Sequence, residues 1–200
     1  MKVIGLCGGS GSGKGAVARI LSSFGIAHID TDLVYHEITS RPSVCLDALA
    51  AEFGADIIRD GALDRARLRE IVFAPPNSTQ KLARLNSITH KYIIDETERR
   101  IQAYLADGVK GVLIDAPLLY ESGLDRRCDC VIAVVADREV RLARIMLRDG
   151  ISLDAAKKRI DSQLSDKALA DKADYVIYNN CTLEQLGGEV SRVYTQIFEK

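Results

Sequence analysis

The sequence has no excess of charge of either sign. Its 200 residues carry 27 basic and 28 acidic side chains, giving a net charge of −1 and a pI near 6.3. No global basic field therefore attracts nucleic acid or an acidic membrane surface, and we expect neither as a partner. No apolar run approaches 18 residues, so a membrane-spanning helix is not expected either.

Cysteine is sparse and scattered. The five cysteines stand at positions 7, 45, 128, 130 and 181, and none forms a Cys-x-x-Cys pair. A disulfide framework and a zinc site are therefore not expected. Met1 and Lys2 lead directly into an apolar run rather than into a signal peptide, which favours a cytoplasmic protein. The length suffices to bury one core, whereas the oligomeric state stays open and a monomer is compatible with the sequence.

The sequence does have a glycine-rich loop near its beginning. Residues 8–15 run Gly-Gly-Ser-Gly-Ser-Gly-Lys-Gly after an apolar run, and helical spacing follows them. A structural turn is the alternative, but strand, loop and helix in this order favour a site for the phosphates of a nucleoside triphosphate, with Lys14 at the β- and γ-phosphates. The residues predicted to bind the nucleotide are Gly9, Ser10, Gly11, Ser12, Gly13, Lys14, Gly15 and Ala16.

One position departs from the usual pattern of such loops. Gly15 follows the lysine, where a serine or threonine hydroxyl usually binds Mg²⁺. The departure removes one expected metal ligand from the loop.

Short apolar runs alternate with helical stretches, which is typical of an α/β fold with a parallel sheet. Strands are predicted at Val3–Cys7, Ala27–Asp30, Gly111–Asp115, Cys130–Ala136 and Tyr175–Tyr178. Between the second and third of them, some eighty residues carry no strand pattern and favour helices near 43–53, 64–73 and 78–106. We interpret this excursion as a substrate-binding subdomain, and the basic helical stretch 138–173 as a lid.

Carboxylates follow two of the predicted strands. Asp30 and Asp32 come at the end of the second strand, and Asp115 ends the third. Beside a triphosphate, such groups bind a metal or take a proton from an attacking hydroxyl. The alternatives are that Asp30 or Asp32 caps the helix beginning near Leu33, and that Asp115 forms a turn.

Two arginines, Arg144 and Arg148, lie four residues apart on one predicted helix face and could bring positive charge to a transferring phosphoryl group. A salt bridge of Arg148 with Asp149 or Asp137 is the alternative. His90 lies within the long predicted helix, where a lone histidine is more often structural than catalytic.

Taken together, these residues resemble the dephospho-coenzyme A kinase family over almost the whole chain. The matching segments are residues 4–14, 29–32, 53–57, 63–65, 88–90, 115–121, 144–148, 163 and 170–180. The run Pro117-Leu-Leu-Tyr-Glu121 after the third strand is quite specific. The departures are Gly15-Ala16, where the family usually has Ser-Thr, and Lys91, where it usually has proline.

The resemblance implies an α/β P-loop three-layer fold with a five-stranded parallel sheet, an inserted helical substrate subdomain and a helical lid. The nucleotide-binding core would comprise 1–32, 111–137 and 174–200, the acceptor subdomain 33–110 and the lid 138–173. The implied reaction is transfer of the γ-phosphoryl group of ATP, with Mg²⁺, to the ribose 3′-hydroxyl of dephospho-coenzyme A.

The resemblance also implies roles for individual residues. Asp32 would be the base for the hydroxyl, and Lys14 and Arg144 would stabilise the moving phosphoryl group. Asp115 would bind the Mg²⁺ ion through water. The remaining implied contacts are those of Arg148 and Asn180 with ATP, and of Arg65, His90 and Leu118 with the acceptor. Adenylate kinases also resemble this chain in having glycine after the lysine, so Gly15 favours Mg²⁺ held by water and phosphate.

Two other functions remain open at this point. One is a kinase for a different small hydroxyl acceptor, such as a nucleoside or shikimate, against which the long helical excursion argues. The other is a nucleotide-binding pseudokinase, suggested by Gly15 and opposed by the presence of Asp32, Asp115 and Arg144 together. A switch GTPase is disfavoured because the sequence contains no Asn-Lys-x-Asp motif for base recognition.

Overall fold

The computed structural model describes residues 1–180 and 182–199, so that Cys181 and Lys200 lie outside it. In this part of the chain, strands and helices alternate as the apolar pattern predicts. The strands are β1 Lys2–Cys7, β2 Ala27–Asp30, β3 Ile58–Arg59, β4 Ala62–Leu63, β5 Gly111–Asp115, β6 Cys130–Val135 and β7 Tyr175–Tyr178. The helices are α1 Lys14–Ser23, α2 Thr31–Thr39, α3 Val44–Phe53, α4 Arg65–Phe73, α5 Ser78–Ala106, α6 Leu119–Ser122, α7 Arg138–Asp149, α8 Leu153–Asp161, α9 Asp166–Lys172 and α10 Leu183–Phe198.

The five predicted strands are confirmed, with bounds that differ by at most one residue. They form one parallel sheet in the order β2-β5-β1-β6-β7. β1 is central and pairs in parallel with β5 and β6, with Leu6 opposite Asp115 and Cys7 opposite Ala133. This register brings the carboxyl ends of the three central strands to one edge, where open α/β sheets bind their ligands.

The expectation of no strands between β2 and β5 is wrong. β3 and β4 form a two-stranded antiparallel hairpin, with Ile58 opposite Leu63 and Arg59 opposite Ala62. The turn between them contains Asp60 and Gly61, both at positive φ. Strands of two residues are too short to produce a period-two pattern, which is why the sequence did not reveal them.

The chain divides into two compact units. The first comprises residues 1–28 and 103–200, and the second residues 29–102. The first unit contains stretch 138–173, which folds as α7, α8 and α9. The bounds implied by the resemblance for core, acceptor subdomain and lid remain predictions.

The core of the first unit lies on the sheet, under α1 and α10. Ile4, Leu6, Leu113 and Ile132 are fully buried there. Thr182 and Gln185 form a capping box at the start of α10, in which each side chain accepts from the other's backbone N–H. Because the strands are covered on both faces, they are almost uniformly apolar.

The second unit has a core of its own. Leu49, Ile57, Leu68 and Val72 pack together there, between α3, α4 and the hairpin region. The Cys45 thiol is buried in the same cluster, and burial raises its pKa to about 11. None of the helices in the described part of the chain is long and apolar enough to cross a membrane.

Candidate active site

The glycine-rich loop connects the central strand β1 to helix α1. Gly11 and Gly13 have φ values of 79° and 92°, a left-handed conformation that side chains other than glycine rarely adopt. Gly13 is the N-cap of α1, and no side chain among the described residues caps this helix end. The first turn of α1 therefore presents backbone N–H groups and the positive end of the helix dipole to the loop. Together these features form an anion site.

Three consecutive carbonyl oxygens of the loop are held by side chains from outside it. Arg141 Nε donates to the Ser10 oxygen at 2.8 Å, and Asn179 Nδ2 donates to the Ser12 oxygen at 2.7 Å. Arg144 Nη1 lies 3.3 Å from the Gly11 oxygen between them. Because C=O and the following N–H point in opposite directions across a trans peptide, the N–H groups of Gly11 and Gly13 point away from Arg141 and Asn179.

Packing also requires glycine in this loop. A Cβ on Gly8 would lie 2.6 Å from the Val134 oxygen, and one on Gly13 would overlap the carboxamide of Asn179. Gly15 differs, since it is exposed and a Cβ there would meet nothing closer than Arg19 Nη1 at 3.8 Å. A hydroxyl-bearing side chain would therefore fit at position 15, although the chain has glycine there.

Lys14 and Asp115 form an ion pair beside the loop, and His28 also contacts Asp115. His28 Nε2 lies 3.4 Å from Asp115 Oδ2, and Asp115 is almost fully buried. Burial by itself would raise the pKa of Asp115, but the hydrogen bond from His28 and the charge of Lys14 outweigh it, so that this pKa lies below its ordinary value. The carboxylate is therefore ionised at neutral pH, as binding of a cation requires.

A small cavity adjoins the loop within the first unit. It has a volume of about 50 Å³ and is lined by Gly8 and Gly9 on one side and by Pro117, Leu118 and Glu121 on another. Residues 162–164 and Leu169 complete its wall. The structure thus brings the specific Pro-Leu-Leu-Tyr-Glu run and the end of α8 to the phosphate-binding loop.

Comparison with known proteins agrees with this geometry. Residues 2–185 match the family model described as dephospho-CoA kinase. A relative from Corynebacterium glutamicum named dephospho-CoA kinase is 41% identical over 198 residues, which is 98% of each chain. The chain belongs to the dephospho-CoA kinase family.

Solved structures agree with this assignment. A dephospho-CoA kinase from Campylobacter jejuni superposes with a TM-score of 0.72 at 28% identity, covering 98% of this chain and 97% of that one. A shikimate kinase from Acinetobacter baumannii in complex with shikimate has a TM-score of 0.55 at 15% identity, covering 100% and 94%. The second likeness shows a shared kinase fold and nothing about the acceptor.

Asp30 and Asp32 both stand at the beginning of α2. Asp30 caps α2, since its Oδ1 accepts from the backbone N–H of Asp32 at 2.9 Å and of Leu33 at 3.2 Å. Asp32 is exposed in the first turn of the same helix. The structure therefore assigns the cap of α2 to Asp30, which is one of the two alternatives that the sequence left open.

The other predicted residues lie in different settings. Arg148 forms the salt bridge with Asp149 that the sequence offered as its alternative, at 2.7 Å on an exposed surface. Asn180 Oδ1 accepts from the backbone N–H of Asp137 at 2.7 Å. In the second unit, Arg65 contacts His36 Nδ1 at 2.7 Å, and His90 is half-buried on α5.

Sequence reasoning missed three residues that contact either the loop or Asp115, the carboxylate predicted to bind a metal. Arg141 is one of many basic residues in stretch 138–173, and Asn179 stands next to Asn180, which the resemblance indicates instead. His28 lies in β2, and a single histidine in a short predicted strand gives no signal of a functional role. A polar residue at the carboxyl end of a strand, as Asn179 is after β7, was the pattern that could have revealed one of them.

We expect Gly13→Ala to abolish tight nucleotide binding, because the new methyl overlaps Asn179 and position 13 needs a positive φ. The dissociation constant for ATP should rise by roughly 100-fold or more, and the melting temperature should fall. Gly188→Ala is the matched control, since nothing lies within 4 Å of that position in α10. Calorimetric titration of both variants with ATP checks this, and wild-type affinity in Gly13→Ala would contradict it.

Proposed function

We propose that this protein transfers the γ-phosphoryl group of ATP to the 3′-hydroxyl of dephospho-coenzyme A, giving coenzyme A and ADP. Membership of the dephospho-CoA kinase family over residues 2–185 is the observation that carries the proposal. The loop between β1 and α1 supplies the triphosphate site that such a reaction needs. We further propose a cytoplasmic location, supported by the scattered cysteines, and no nucleic-acid partner, supported by the balanced charge.

Two cations near the loop are suited to stabilise the transferring phosphoryl group. Lys14 stands at the start of α1 and pairs with Asp115, and Arg144 lies on α7 within 3.4 Å of the Gly11 and Ser12 oxygens and of Asn179. Phosphate oxygens are stronger partners for Arg144 than backbone carbonyls are, because they carry full charge. We infer that an entering triphosphate draws both side chains from these partners to itself.

A cation could then take the place of the Lys14 ammonium beside Asp115, which also contacts His28. We propose that Asp115 holds Mg²⁺ through water while the phosphates supply direct ligands, since Gly15 offers no hydroxyl. A single buried, ionised carboxylate suits Mg²⁺, which keeps several of its waters when bound. The ion would neutralise charge on the β- and γ-phosphates.

The acceptor hydroxyl needs a group that orients it and takes its proton. We propose Asp32 for this role, because it follows β2 by two residues and its neighbour Asp30 already caps the helix. A carboxylate that is exposed at this position can accept a hydrogen bond from a ribose hydroxyl.

We propose that the second unit binds part of the acceptor. Arg65 lines a pocket of about 190 Å³ on this unit with Tyr35, Leu68 and Phe73, and its guanidinium lies 5.6 Å from the Tyr35 ring centre. An arginine beside apolar walls suits an acceptor that carries phosphate groups next to less polar parts.

Four further residues complete the proposed contacts. His90 and Leu118 would contact the acceptor, and Arg148 and Asn180 would contact ATP. Arg148 would first have to leave Asp149, which is inexpensive because the pair is largely exposed. Leu118 is 44% exposed beside the loop cavity and can contact a ligand without rearrangement.

An acceptor panel tests the proposed function directly. Purified protein with ATP and Mg²⁺ should form ADP with dephospho-coenzyme A and leave nucleosides and shikimate unphosphorylated. Coupled detection of ADP, with mass spectrometry of the product, measures this. Turnover of a nucleoside or of shikimate instead would overturn the acceptor assignment, and absence of any turnover would indicate a nucleotide-binding pseudokinase.

We expect Asp32→Asn to lower kcat by a factor of about 100 or more while ATP binding changes little, because a general base or orienting group typically contributes that much. Asp30→Asn is the matched control two residues away. Asparagine caps a helix as well as aspartate does, so this variant should keep its turnover. Equal losses of kcat and ATP affinity in Asp32→Asn would indicate a structural role.

Gly15→Ser tests the proposed arrangement of the metal. A hydroxyl at this open position should add a ligand and lower the Mg²⁺ concentration for half-maximal activity, and the KM for ATP, by roughly threefold or more. Gly15→Ala adds the Cβ without the hydroxyl and separates the two effects. If Gly15→Ser leaves both quantities unchanged, the idea of a metal shell made of water and phosphate should be dropped.

A further inference from the structure

Arg141 is the most deeply buried arginine side chain that contacts the loop. It lies on the first turns of α7 with only 3% of its surface exposed. A buried guanidinium must have partners, since an unpaired charge away from water is strongly unfavourable. Through its hydrogen bonds, Arg141 connects the glycine-rich loop to Asp166, two parts of the first unit that are distant in sequence.

The first partner is the loop itself. Arg141 Nε donates to the Ser10 carbonyl oxygen at 2.8 Å, and the guanidinium lies against Gly9, where a Cβ would come within 2.9 Å of Cζ. On the other side of Ser10, a Cβ on Gly11 would lie 2.6 Å from the Arg141 carbonyl oxygen. Arg141 is therefore wedged against the glycines on both sides of Ser10.

The second partner lies in residues 162–166, the segment that follows α8 and ends at the first residue of α9. Arg141 Nη1 donates to Asp166 Oδ1 at 2.7 Å, and Asp166 is the first residue of α9. From the same segment, Gln163 Oε1 accepts from the Ser10 backbone N–H at 2.9 Å. Both polar groups of the Ser10 backbone are thus held by side chains from outside the loop, one by Arg141 and one by Gln163.

From these contacts we infer that Arg141 is a positioning residue for nucleotide binding, which fixes the Ser10–Gly11 peptide so that the Gly11 N–H faces the phosphates. A charged hydrogen bond to a carbonyl in a buried setting is stronger than a neutral one, so Arg141 holds this peptide more firmly than a neutral side chain would. The inference rests on the proposed function, but its test measures nucleotide binding rather than turnover.

The central variant is Arg141→Met, which keeps an unbranched buried side chain and removes every donor. The dissociation constants of ATP and ADP should rise by about tenfold, the usual effect of losing one charged hydrogen bond. The inhibition constant of tripolyphosphate, which binds the loop without a base or ribose, should rise by the same factor. The KM for dephospho-coenzyme A should change by less than about twofold.

The chain supplies two controls. Arg138→Met removes another arginine of α7, whose Nη2 pairs with Asp161 at 2.7 Å on an exposed surface and does not hold the loop, and it should change none of these constants. Asp166→Asn removes the charge that pairs with Nη1 and leaves the bond from Nε to Ser10. Its dissociation constant for ATP should change by less than about threefold.

A folded Arg141→Met protein that binds ATP and tripolyphosphate as the wild type does would overturn the inference, and a lower melting temperature alone would show a merely structural role. Asp166→Asn as weak as Arg141→Met would also overturn it, because the effect would then come from the segment after α8. If Arg141→Met does not fold, Arg141→Gln replaces it. Its neutral carboxamide cannot supply a charged hydrogen bond to the Ser10 oxygen, so an unchanged affinity for tripolyphosphate in that variant would equally contradict the inference.

Discussion

A loop that binds triphosphate must keep its own carbonyl oxygens away from the anion. Each peptide carries one group that attracts phosphate and one that repels it, and a flexible glycine loop has little preference between the two orientations. In this protein, hydrogen bonds to the Ser10 and Ser12 oxygens fix the orientation. We propose that selective binding of the anion depends on those bonds, because glycine by itself supplies only the freedom to adopt the conformation.

The sheet order explains how those donors reach the loop. β6 lies directly beside β1, and β7 beside β6, so the residues that follow both strands emerge next to the loop that follows β1. Asn179 comes immediately after β7, and α7 begins three residues after β6. On the other side of β1, β5 ends in Asp115 and brings the carboxylate to Lys14. The parallel register thus brings Arg141 and Asn179, which donate to the loop carbonyl oxygens, to one side of the loop. It brings the Asp115 carboxylate to the other side.

Much of this arrangement was predictable from the sequence, and the limits have physical causes. Strands buried on both faces give continuous apolar runs, and for that reason the five strands of the sheet were placed within one residue. The glycine loop and Lys14 were visible because their chemistry is local in sequence. Arg141 and Asn179 act on residues more than 130 positions away. Sequence alone could not distinguish Asn179 from Asn180, since only the fold decides which of the two amides is buried. The β3–β4 hairpin was missed because two residues per strand leave no periodicity to detect.

The close approach of Gly9 and Arg141 also limits how the sequence can change. The guanidinium fills the space that a Cβ at position 9 would need, so no larger residue can enter there while the arginine is in place. Shortening the side chain at position 141 frees that space but removes the donor from the Ser10 oxygen. A side chain at position 9 would therefore require the guanidinium to move away from the loop. Arg141 thus favours glycine at position 9 independently of any contact with phosphate.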